Sequence, residues 1–174
     1  SGSSNADAIV ASIREITKLR GEVAFRAPGE LPNDGRVIDE ALGTMRAAGL
    51  VPHITELDID VLPRDADMWG ADLSKKQQIR AATNVYPDGL PPAMQEKLAR
   101  RYADVFRLFL KHGVARVTFW GVTDADSWLH DFPIPGRVNY PLLWDRDGRE
   151  KPAFDAVMEV LRQRAGVQTA PTRP

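Results

Sequence analysis

Two β-branched runs, Val51–Ile59 and Ala115–Val122, flank a long helical pattern, and this succession restricts the fold more than any other feature. Parallel strands need a crossover of a dozen or more residues between them, usually a helix. The intervening pattern predicts one from about Pro92 to His112, with Met94, Leu98, Tyr102, Val105, Phe106 and Phe109 on one stripe. Upstream, Val37, Ile38, Ala41, Leu42 and Met45 predict a helix that stops at Gly49. Further upstream, Ile9, Ile13 and Ile16 mark an amphipathic helix over Asn5–Leu19, and Glu22–Phe25 is a short strand candidate. At the other end Pro152 suits a first helical turn, and Phe154, Val157, Met158 and Leu161 follow at helical spacing.

Helix and strand therefore alternate along the chain, which implies an α/β fold with a parallel sheet. The loops after the second and third strands are long, and those before the strands are short. In an α/β barrel the long loops stand at the C-terminal strand ends, where sites are built. An eight-stranded barrel takes about 250 residues. This chain has 174 and offers three strands. The expectation is a partial (β/α)8 TIM barrel, three parallel strands with crossover helices, which needs a complement to close.

The opening Ser1-Gly2-Ser3-Ser4 reads as a cloning scar or linker, residues 5–165 as the barrel segment, and 166–174 as a flexible tail. The 23 basic residues against 24 acidic ones give no electrostatic reason to expect nucleic acid or an anionic membrane as partner. No apolar run approaches the roughly 20 residues that cross a bilayer. With no cysteine, disulfides and thiolate metal sites are excluded. The three histidines are not at zinc-ligand spacing, so no metal is expected.

The chemistry concentrates in His53-Ile54-Thr55-Glu56-Leu57-Asp58-Ile59. Regular alternation along a strand puts Ile54, Glu56 and Asp58 on one face. A carboxylate near the end of an apolar strand is costly unless paired or functional. Two readings of Glu56 fit: it ends the strand and pairs with an arginine, or it belongs to a site. A retaining glycosidase needs two carboxyl groups about 5–5.5 Å apart. Trp120 and Trp128, on the third strand's end and its loop, offer flat apolar faces with N–H donors, which suit sugar rings. Trp120 could equally fill a core. A second tryptophan in a polar loop fits that reading less well.

Those residues, with Phe119-Trp120-Gly121-Val122 and Asp126-Ser127-Trp128-Leu129, resemble glycoside hydrolase family 10, the β-1,4-xylanases. Tyr86-Pro87-Asp88-Gly89-Leu90-Pro91-Pro92, Arg101-Tyr102, Tyr140-Pro141-Leu142-Leu143-Trp144-Asp145 and Lys151-Pro152-Ala153-Phe154 extend the resemblance from about Asn5 to Leu161. It implies the C-terminal part of an eight-stranded barrel, strands six to eight, that hydrolyses internal xylan linkages with retention. By resemblance, Glu56 takes the nucleophile's place on the seventh strand, and Trp120 and Trp128 the aromatic walls. His53, Asp58 and Arg26 fall around the nucleophile. The implied substrate is xylan or a xylo-oligosaccharide, no cofactor is needed, and the parent enzyme would be secreted or periplasmic.

Two departures stand out. The family's acid/base glutamate lies in an Asn-Glu pair on the fourth strand, and no carboxylate here replaces it. Asp58, Asp124 and Asp126 are poor substitutes. At the end of the sixth strand the family usually has a Gln and, two positions on, a His; Arg26 and Pro28 stand there. Hence two hypotheses. Either the chain supplies the nucleophile, inactive alone until an N-terminal barrel fragment or self-association completes it, or it is an engineered fragment or scaffold of xylanase parts without native hydrolysis. New chemistry with a carboxylate base is a third.

Overall fold

A computed structural model describes residues 35–62, 84–131 and 134–166. The helix expected over Asn5–Leu19, the strand over Glu22–Phe25, Arg26, Pro28 and the tail beyond Gly166 lie outside them.

Helix α1 spans Gly35–Ala47 and buries Ile38, Ala41 and Leu42. Strand β1 is His53–Leu57, α2 is Pro92–Lys111, β2 is Arg116–Phe119, and α3 is Pro152–Arg164. Between β2 and α3 lie two 3-10 turns, Asp124–Asp126 and Trp128–His130. The two strands run parallel, joined by α2 as crossover. This is the βαβ unit that the alternation implies.

The helix stops are as the glycines predict. At Gly49 and Gly113 the chain turns into positive φ, 75° and 65°. Around each, paired backbone bonds close the helix: Leu50 N to Met45 O and Gly49 N to Arg46 O, then Val114 N to Phe109 O and Gly113 N to Leu110 O. That is the Schellman pattern, which glycine adopts without the Cβ penalty. α2 and α3 each open with proline in the first turn, where its missing N–H costs nothing.

The predicted α2 stripe is the core. Met94, Leu98, Tyr102, Val105, Phe106 and Phe109 are all buried. Phe119 of β2 meets the Tyr102 and Phe106 rings at centroid distances of 6.1 and 6.3 Å. The α3 stripe fares differently. Val157 is buried with Ala153 and Val160, but Leu161 is 37% exposed.

Both strands are shorter than their β-branched runs. β2 ends at Phe119, two residues before Gly121, which takes φ 137° and where a Cβ would stand 2.9 Å from Leu142. β1 carries the larger correction. Ile54 pairs with Val117 and Leu57 with Phe119, so three steps on β1 match two on β2. An extra residue of this kind is a bulge, and it breaks strict alternation. Ile54 thereby joins Leu57 in facing the core. The shared face expected for Ile54, Glu56 and Asp58 does not survive.

Candidate active site

Two tryptophans are fastened to the residues that directly follow Glu56. The Trp120 amide donates to the Leu57 carbonyl at 3.0 Å, which carries the parallel ladder one step past β2. The Trp128 indole N–H donates to Asp58 Oδ2 at 2.7 Å. Glu56 is half-buried at the C-terminal end of β1, while Trp120 and Trp128 keep 43% and 36% of their surface exposed. Trp120 is therefore no core filler. An aromatic side chain left so exposed beside a carboxylate is an available binding surface.

His53 is exposed at the start of β1. Together with Thr55, Arg116 and Thr118 it lies on sheet surface away from the helix-packed core.

The long polar loop that carries Trp128 is held from inside. Asn139 and Arg137 are fully buried, as are Asp60, Asp124 and Lys151. Asn139 donates to Asp60 Oδ1 at 2.7 Å, and its Oδ1 accepts the amides of Tyr140 at 2.9 Å and Val61 at 3.4 Å. The Arg137 guanidinium stands 3.6 Å from Asp60 Oδ2. Asp60 also accepts the Leu62 amide. The β1 exit and the loop thus share one polar knot.

A second knot fastens the far side of the loop. Lys151 Nζ donates to Asp124 Oδ2 at 2.7 Å and to the carbonyls of Tyr140 and Leu142 at 2.8 and 2.7 Å. Asp124 Oδ1 accepts the Leu142 amide. Burial pushes the Asp124 carboxyl up, against the lowering pull of Lys151, and pushes the Lys151 ammonium down. Asp124, a weak acid/base candidate from sequence, is consumed by this pair. His130 links the knots, since its Nδ1 accepts the Asn139 amide while its Nε2 donates to the Asp124 carbonyl.

His112, without a role from sequence, ties α2 to α1 through Asp39, which Lys111 also holds at 2.7 and 2.8 Å. Among the described residues no cluster of three His, Cys, Asp or Glu can hold a metal. Nor is any described helix long and apolar enough to cross a membrane.

Residues 30–160 match the sequence pattern of glycosyl hydrolase family 10. The chain belongs to that family. It is 37% identical over 116 residues to the endo-1,4-beta-xylanase A of Xylanibacter ruminicola, covering 66% of this chain and 31% of that protein. The endo-1,4-beta-xylanase of Geobacillus stearothermophilus is 35% identical over 125 residues, 71% of this chain and 33% of its own length. Among solved structures, a GH10 endoxylanase from sugarcane soil metagenome superposes with TM-score 0.68 at 45% identity, over 72% of this chain and 37% of that one. The solved structure of a mutant in complex with xylotriose gives TM-score 0.55 at 33% identity, over 78% of this chain and 38% of that one. The fold is accordingly part of a (β/α)8 barrel. The chain spans about a third of the length of these relatives.

Proposed function

We propose that this chain supplies the nucleophile and an aromatic sugar platform to a retaining endo-1,4-β-xylanase, and that a further barrel segment supplies the acid/base. One observation carries the reading. Trp120 is bonded to Leu57 and Trp128 to Asp58, the two residues after Glu56, and both rings stay exposed, which supports a sugar platform next to that carboxylate.

Glu56, ionised, attacks the anomeric carbon. The glycosidic C–O bond breaks, and the leaving oxygen takes a proton from the acid/base carboxyl of the complementing segment. Water, deprotonated by the same group, then breaks the glycosyl ester and regenerates Glu56 with net retention. General acid help is worth about 10²–10⁴-fold, so the chain alone should turn over xylan poorly. The substrate is xylan or a xylo-oligosaccharide, in keeping with the xylotriose complex of a structurally similar protein. A polymeric substrate also favours a secreted or periplasmic parent enzyme. His53, Asp58 and Arg26 are proposed to surround the nucleophile.

The test uses a 2-fluoro-xylobioside inactivator with a leaving group that needs no protonation, on the chain with an N-terminal family 10 barrel segment. Intact mass should rise by one glycosyl unit, peptide mapping should place it on Glu56, and Glu56→Gln should prevent it. Labelling elsewhere, or release from an aryl xylobioside that survives Glu56→Gln, overturns the assignment. No labelling and no release even with the segment bound would favour a scaffold built from xylanase parts.

A further inference from the structure

The turn at Asp88 carries a chemistry that the sugar-cleaving site does not use. Two Asp-Gly pairs lie among the described residues, Asp88-Gly89 and Asp147-Gly148. Each aspartate is the third residue of a turn that its glycine closes. Gly89 N donates to the Tyr86 carbonyl, and Gly148 N to the Asp145 carbonyl. Pro87 at the second position and Gly89 at the fourth suit the first of these turns. Both pairs are exposed, and a Cβ on either glycine would meet nothing within 4 Å.

The two turns differ in restraint. Gly148 bonds at 3.1 Å, and Asp145 Oδ1 accepts the amides of Asp147 and Arg149 across the same turn, both at 2.8 Å. The Asp147 carboxylate is itself held by Arg149. Gly89 bonds at 3.4 Å, longer than the usual range. The Asp88 carboxylate has no hydrogen bond among the described residues.

We infer that Asp88-Gly89 is a modification site, at which the chain converts to isoaspartate faster than at Asp147-Gly148. The Gly89 nitrogen attacks the carboxyl carbon of Asp88 and forms a C–N bond. The carboxyl hydroxyl leaves with the amide hydrogen as water, and a five-membered imide closes. Water then adds at the main-chain carbonyl of Asp88 and breaks its bond to the Gly89 nitrogen. The chain now runs through the side-chain carbonyl. One water departs and one returns, so no co-reactant is needed and the mass is unchanged. Glycine suits this step because it has no Cβ to crowd the attacking nitrogen. The aspartate must swing its carboxyl over the next amide, which requires the turn to open. At Asp88 one long bond opposes that; at Asp147 the bonds to Asp145 and Arg149 all do.

The product matters because both flanks of the Asp88 turn are fastened. Tyr86 O accepts the Tyr140 hydroxyl at 2.8 Å, and Asn84 Oδ1 accepts the Val138 amide at 3.1 Å. On the other side Leu90 is buried, and its carbonyl accepts Gln95 Nε2 at 3.2 Å. An extra main-chain carbon between them pulls on the Tyr140 and Val138 contacts. Those two residues flank Asn139, so conversion at Asp88 loosens the loop that carries Trp128.

The test holds the full chain for weeks at neutral pH, digests it, and measures isoaspartate in each peptide with a protein isoaspartyl methyltransferase. One hydrogen bond to a charged group corresponds to about a tenfold change in an opening equilibrium. Isoaspartate should therefore accrue at Asp88 at least about tenfold faster than at Asp147. In strong denaturant the two rates should converge. Asp145→Ala should raise the Asp147 rate towards that of Asp88. Asp88→Glu should abolish conversion at that position, because a six-membered imide closes far more slowly. Native rates that are equal, or faster at Asp147, overturn the assignment. So does a native chain that stays unmodified at Asp88 while the denatured chain converts. Hydrogen exchange reads the consequence: amides of Val138 and Tyr140 should exchange faster in the converted fraction than in fresh chain. Unchanged exchange there overturns the link between this turn and the Trp128 loop.

Discussion

Trp128 and Asp58, seventy residues apart in sequence, are joined by an indole N–H that meets a carboxylate oxygen at 2.7 Å. The bond fastens the 3-10 turn Trp128–His130 to the exit of β1, two residues past Glu56. A sugar platform is useful only if its plane is fixed before the sugar arrives, because ordering it later subtracts from affinity.

Removing that acceptor should therefore act on binding more than on chemistry. A hydrogen bond to a charged group is worth about 1.5–3 kcal/mol, and the lower figure suits an exposed indole. In the completed barrel Asp58→Ala should raise KM for xylo-oligosaccharides about tenfold at nearly constant kcat. Asp58→Asn retains an acceptor oxygen and should recover part of the loss. A fall in kcat at unchanged KM would instead put Asp58 in contact with the reacting atoms.

The buried Lys151–Asp124 pair makes a different prediction. Lys151→Met strands a buried carboxylate and leaves two carbonyls without their donor, which should cost about 3–5 kcal/mol. Adding Asp124→Asn should restore much of it, because an amide oxygen still accepts the Leu142 amide and carries no charge. Lys151 is what holds the Asp124 pKa down against burial. Without it the folded-state value climbs further above the ordinary 3.8. The folded state then binds the extra proton, so stability is lost as pH rises through that window. Denaturant midpoints should show Lys151→Met more damaged at pH 7 than near pH 4.5. Equal damage at both would sink the electrostatic account.

Much of this fold was legible because its signals are local. Gly49 and Gly113 announce helix stops by themselves, and the α2 stripe from Met94 to Phe109 is buried as its spacing requires. The site was less legible. Glu56, Trp120 and Trp128 stand out as residue types, yet the bulge that separates Ile54 from Glu56 leaves no local mark, since it depends on how β2 pairs. Arg137 and Asn139 sit in a polar loop, and their residue types alone give no sign of burial. Asn139 is buried because Asp60 and the neighbouring amides satisfy it, and Arg137 is buried beside the same carboxylate; the Asn139–Asp60 partnership spans 79 residues of sequence. Helical spacing groups Leu161 with Val157 but cannot say whether a neighbour covers it.

Gly121 separates two causes of strain. Its φ of 137° is a region that L side chains rarely adopt, and a Cβ would also stand 2.9 Å from fully buried Leu142. Gly121→Ala should lose about 1–3 kcal/mol from the backbone alone, with overpacking added. Leu142→Ala in the same chain removes the clash but not the backbone strain. The double variant should therefore stay below Leu142→Ala by the backbone share, as thermal melts would show. If the two coincide, the dihedral costs nothing and crowding was the whole effect.

Asp39 offers the opposite pH dependence from Asp124. Hydrogen bonds from Lys111 and His112 hold its carboxyl below the ordinary 3.8. A depressed folded-state value means that the unfolded chain binds the proton more readily. The contribution is then present above 3.8 and fades as pH falls through the folded value. The site is exposed, so the effect is small and screened by salt. Asp39→Asn should lower Tm modestly at pH 7 in low salt, and the difference should shrink in 1 M salt and close at pH 2–3. Because the bond ties α1 to α2, the loss should appear first as faster amide exchange in α1. A variant that matches the parent at pH 7 in low salt would show that apolar packing of Ile38 and Leu42 alone holds that helix in place.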